Sequence, residues 1–156
     1  MAKRKARSSC LPLLADSSAG KESAARGWIR RSLAVFYIVA SAFHLTEPGP
    51  FLRIMPNWVP DPQAVIAFTG VAELLGGVAL LQPVSPMLRR AGGIGLALYA
   101  LCVWPANINH FVMDMARPDH GWGLFYHVPR MLAQPLLIWL ALWTGGVTEW
   151  PRRRRR

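Results

Sequence analysis

The sequence predicts an all-α fold: a four-helix transmembrane bundle with a Pro-rich, partly buried loop between helices 1 and 2. Three observations lead there. The 156-residue chain is 53% hydrophobic, with 7 Trp, and its apolar residues fall into four long blocks. Prolines crowd the connection after the first block, with five at positions 48, 50, 56, 60 and 62. Lys and Arg flank the blocks and are almost absent inside them, as expected where apolar spans meet charged lipid surfaces.

The segments follow in order. Residues 1–27 read as a basic, disordered cytoplasmic tail opened by Lys3, Arg4, Lys5 and Arg7. Its one apolar fragment, LPLL at 11–14, is too short for the apolar core of a signal peptide. The four-helix domain takes residues 28–145. Span one covers 28–46, just reaching the roughly 20 residues that a bilayer requires. Arg30 and Arg31 are placed to snorkel at its inner end, and His44 lies near the other.

The connection EPGPFLRIMPNWVPDP at 47–62 holds five prolines, which exclude a long regular helix. Its apolar side chains suit a partly buried cap with a short helical turn at 50–55. Span two is 63–81, followed by the turn QPVSPMLRR. Span three, 90–113, starts on the small residues Ala91, Gly92, Gly93 and Gly95, which favour close helix packing. Pro105 is expected to kink it. Span four is 124–143, with Pro129 and Pro135 expected to interrupt the helix. Residues 146–156 form a poly-Arg cytoplasmic tail.

Four spans put both termini on one side. The tail, second turn and C-terminus hold 15 of the 18 Lys and Arg residues, so the positive-inside rule makes that side cytoplasmic. The expected location is the cell membrane, multi-pass. The lipid bilayer is the expected partner, with anionic lipid at the basic tails. The net charge of +10 forms no aromatic-interleaved patch, so no nucleic acid is expected. Cys10 and Cys102 make neither a CxxC nor a metal-type spacing.

Charged residues inside apolar spans are rare and mark a site by default. Glu73 and Arg130 are two such residues. Placed by depth at 1.5 Å per helical residue, they join His44, Asn107, His110 and Gln134 in the outer half of the bundle or near its middle. Gly70, Glu73, Gly76 and Gly77 share one helical face, Asn107 and His110 another, and His127, Arg130 and Gln134 a third. The expectation is a buried polar pocket of Glu73, Arg130, His44, Asn107, His110 and Gln134, with Glu73 and Arg130 paired across the bundle. No HxxxH or HxxE unit falls wholly within one span, so no metal centre is expected.

These residues carry a family resemblance. His44 ends the first helix, Ile54-Met55-Pro56 and Pro60 mark the loop, and Gly70 to Gly77 form a GxxExxGG unit. Pro105-Ala106-Asn107-Ile108 closes the third span, and Arg130 stands four residues before Gln134. Over residues 33–143 this order and spacing resembles the DoxX-like family of small integral membrane proteins. The family takes its name from a subunit linked to thiosulfate:quinone oxidoreduction, and other members are associated with redox or detoxification complexes.

The resemblance implies an accessory subunit of a membrane redox system, quinone- or thiol-linked, with quinone as the candidate cofactor and a redox subunit as partner. The alternative expectation is a non-enzymatic membrane scaffold or assembly partner in which the Glu73–Arg130 pair is structural. Neither reading assigns catalytic residues or commits the chain to being an enzyme. Small-solute transport ranks lower, since four short spans make a narrow bundle.

Overall fold

A computed structural model describes residues 22–149. Its regular structure is helical throughout, with no strand among the described residues. The elements are α1 (Ala24–Thr46), α2 (Gly49–Arg53), α3 (Pro62–Leu81), α4 (Pro86–Met115) and α5 (Gly123–Gly145). The four long helices match the four apolar blocks in number and order.

The boundaries differ from the sequence expectation where capping decides them. α1 starts at Ala24, inside the segment expected to be disordered, because the Ser23 hydroxyl accepts from the Arg26 amide. The rest of that tail, 1–21, and most of the poly-Arg tail, 150–156, lie outside the described residues. α4 starts at Pro86 rather than at 90, with Ser85 as N-cap and Pro86 in the first turn, where proline needs no N–H partner.

α5 runs unbroken through Pro129 and Pro135, against the expected interruption. Each proline removes one backbone bond, and packing against neighbouring helices holds the rest together. Pro105 likewise lies within the continuous α4. α2 supplies the short helical turn in the Pro-rich connection, in which Pro56 is buried and Trp58 is exposed.

α1 packs on α3, α3 on α4, and α4 on α5, while α1 and α5 meet along a thinner contact. One end of the bundle is closed by Leu33, Ala34, Tyr37, Leu80, Leu96, Ala97 and Ala141. At that end two arginines of α1 cap other helices. Arg30 is buried, and its guanidinium donates to the Leu80 carbonyl at the end of α3. Arg26 donates to the Trp143 carbonyl near the end of α5. A cation at a helix C-terminus meets both the free carbonyls and the dipole. Arg30 therefore does not snorkel outward, and the two ends of the described chain lie together.

Among the described residues, α3 and α4 are long and apolar enough to cross a membrane. α1 carries Arg26, Arg30 and Arg31 in its first turns.

Candidate functional site

At the other end the helices diverge around a cavity of about 500 Å³. α1 contributes Tyr37 and His44, α3 contributes Thr69 and Glu73, α4 contributes Tyr99 and Asn107, and α5 contributes Arg130 and Gln134. Phe51, Ile54 and Met55 of the Pro-rich connection also line it. That connection is held down by the Asn109 side-chain amide, which donates to the Ile54 carbonyl at 3.0 Å. Five of the six residues singled out in the sequence thus line one space. His110 does not line it and stands behind Arg130 instead.

The expected Glu73–Arg130 pair does not form. Glu73 is 2% exposed, and its carboxylate meets His44 Nδ1 at 2.6 Å. α3 and α5 stand diagonally across the bundle, whereas α1 packs directly on α3, so His44 reaches Glu73 first. The small face of α3 allows this: a Cβ at Gly70 would approach His44 Cβ to 3.1 Å. One helical turn deeper on α1, Ser41 donates to the Gly70 carbonyl at 2.7 Å. Phe51 of α2 stands edge-on to the His44 ring, with centroids 3.9 Å apart.

Arg130 makes a separate network. One terminal nitrogen lies 2.9 Å from His110 Nδ1 and 2.8 Å from the Tyr126 hydroxyl. Behind it, Asp114 Oδ2 accepts from the Trp122 amide at 3.1 Å and faces His127 Nε2 at 3.0 Å and His110 Nε2 at 3.5 Å. The carboxylate fits because the backbone turns at Gly121, whose φ of +50° favours glycine and whose missing side chain leaves the space. Asp114 so ties the end of α4 to the start of α5 and aims both histidines.

Sequence reasoning missed Asp114 and left His127 out of the pocket. The signal was present as His110-x-x-x-Asp114, one helical turn on a single face.

His110, Asp114 and His127 offer one donor atom each, all within 4.8 Å of one another. Their outer partners do not suit a metal. A metal-bound imidazole gives its other N–H to an acceptor. Arg130 can only donate, so His110 Nδ1 must carry the lone pair and Nε2 the proton. His127 Nδ1 is buried without a partner. The group works instead as a hydrogen-bonded support that holds the Arg130 guanidinium at the cavity wall.

Two polar atoms on cavity-lining residues are buried and unpartnered: the Tyr37 hydroxyl and Gln134 Oε1. Buried polar groups are almost always satisfied. Together with Arg130, they give the cavity donors and acceptors facing apolar walls.

Fold and site define a class: a small helical bundle built around an apolar cavity with a few converging polar groups. The chain belongs to the family described as "domain of unknown function (DUF8561)", which matches residues 33–145. No curated protein matches the chain. No solved structure matches it.

Proposed function

We propose that this chain is a multi-pass integral membrane protein with both termini cytoplasmic, related to the DoxX-like proteins. In this reading it serves as an accessory subunit of a quinone- or thiol-linked membrane redox system, and its cavity binds the quinone head group. Cavity volume supports this, since small-molecule sites usually occupy about 300–1,000 Å³ with apolar walls and few polar groups. The observation that carries the reading is the pair of orphaned atoms on Tyr37 and Gln134, in residues that line the same cavity as a guanidinium already held in place. A quinone offers carbonyl oxygens for Arg130 and an apolar ring for the walls.

Outward faces support the membrane setting. Val35 and Val39 on α1, Phe68 and Leu75 on α3, Leu98 and Leu101 on α4, and Phe125 and Leu132 on α5 are all exposed. Scattered exposed hydrophobics are ordinary, but apolar faces on all four helices of one bundle call for a covering medium. Resistance of the chain to carbonate extraction from membranes tests this. Release into the soluble fraction would overturn it.

For the ligand, a short-chain quinone is titrated into protein purified in neutral detergent, with Trp fluorescence as the signal. Saturable binding is expected. Arg130→Gln should weaken it roughly 10-fold or more, since a charge-assisted bond is lost at a half-buried site. No saturable signal in the wild type would sink the quinone reading.

One observation favours the alternative, a non-enzymatic scaffold or assembly partner. The polar side chains also fasten helices, with His44–Glu73 joining α1 to α3 and Asp114–His127 joining α4 to α5. In that case Glu73→Gln reduces membrane accumulation while any quinone signal in the remaining folded protein stays intact. Folded protein that has lost the signal speaks for the binding role.

A further inference from the structure

A second, smaller pocket of about 140 Å³ lies at the opposite end of the bundle, where both described chain ends meet. Arg26 of α1 and Arg89 and Arg90 of α4 line it, with Glu22 and Glu149 as the acids. The arginines outnumber the acids, and neither acid engages the pocket arginines closely. Glu149 is two-thirds exposed and meets Arg26 at 3.4 Å, while Glu22 meets Arg89 at 3.5 Å and is held closer by Arg30, at 3.0 Å. Arg89 Nε is buried with no hydrogen-bond partner, and Arg90 makes no hydrogen bond or ion pair among the described residues. Unused guanidinium donors beside a polar hollow fit an oxyanion with several acceptor oxygens.

The surroundings identify the source of that anion. Val84, Met87 and Leu88, next to Arg89 and Arg90 in sequence, are exposed apolar side chains. A free phosphate ion has no use for exposed apolar side chains at this end of the bundle, whereas a phospholipid places its phosphate in the hollow and its chains against them. Basic pockets between helices at the cytoplasmic surface take anionic headgroups in this manner. We propose that the Arg26–Arg89–Arg90 pocket is a specific site for the phosphate headgroup of an anionic phospholipid. The inference rests on the membrane reading above but does not involve the quinone cavity.

The test uses the full chain in neutral detergent and reads its melting midpoint. Short-chain phosphatidylglycerol is expected to raise the midpoint by about 2–4 °C at saturation, with phosphatidylcholine and inorganic phosphate at the same concentration leaving it unmoved. Arg89→Gln combined with Arg90→Gln is expected to weaken the phosphatidylglycerol response roughly 10-fold or more. If the double variant fails to fold, Arg90→Gln alone serves, because that exposed side chain holds nothing else together; it should weaken the response about threefold or more.

Equal shifts from the two lipids, or an undiminished response in the variants, would overturn the site. A full response to inorganic phosphate would overturn the lipid assignment. Carbonate extraction reads the membrane and the lipid pair reads the arginines, so failure of one is distinguishable from failure of the other.

Discussion

Glu73→Ala is expected to destabilise the folded chain by about 3–5 kcal/mol, measured as unfolding free energy in mixed micelles. The magnitude is that of removing one partner from a buried polar pair. Glu73 and His44 side chains are 3% and 11% exposed, so water cannot replace the lost contact without entering the cavity. Glu73→Gln keeps the shape and one hydrogen bond to His44 Nδ1, and should lose less, about 1–2 kcal/mol.

A double-mutant cycle sharpens the point. His44 and Glu73 should couple by about 1 kcal/mol or more, while Glu73 and Arg130 should be additive within about 0.5 kcal/mol. Coupling of Glu73 to Arg130 as strong as that to His44 would contradict the geometry described above. The contrast separates two ways of meeting a charge inside an apolar span. The carboxylate is answered locally, across the α1–α3 contact. The guanidinium is answered from behind, by His110 and Asp114, which leaves its remaining donors to the cavity.

The number and order of the helices were legible because apolar blocks and the punctuation between them are local features of a chain. The residues around the cavity were legible for a similar reason. Depth along a helix follows from residue count, and polar side chains at matching depth on several helices must meet or face lipid.

Pairing was not legible. Which of two side chains answers Glu73 depends on which helices are neighbours and which are diagonal, and four helices can be arranged around a centre in more than one order. Asp114 escaped notice because it falls at the end of an apolar block, where an acid reads as surface. Only the return of the chain at Gly121 brings the carboxylate to face His127. The prolines of α5 misled in the other direction. Proline is a strong break in an isolated helix, but packing on α4 holds the helix through both.

The small-residue face at the start of α4 was legible in kind but not in detail. Gly92 and Gly93 are buried, while Ala91 is exposed and an added methyl at Gly95 would meet nothing within 4 Å. Gly93 is the point of closest approach. A Cβ there would lie 2.6 Å from the Ala141 carbonyl oxygen and 3.0 Å from Gly145 Cα. Both atoms are backbone, so a side-chain rotation cannot relieve the clash, and α4 and α5 must move apart. Gly93→Ala should therefore destabilise by about 1–3 kcal/mol, and Gly93→Val by more.

The consequence extends to the cavity. Gly93 and His110 are 17 residues apart on α4, roughly 25 Å along the axis. A pivot opened at one end changes the spacing at the other, where His110 faces Arg130 and Asp114 faces His127. Gly93→Ala protein that stays folded should thus bind the quinone of the proposed function several-fold more weakly, although Gly93 does not line the cavity. Gly95→Ala, on the same helix with open space around it, should leave binding unchanged and, if anything, raise stability by up to about 1 kcal/mol, since alanine is the better helix former. Equal effects from the two substitutions would show that helix propensity, rather than the α4–α5 crossing, governs this end of the bundle.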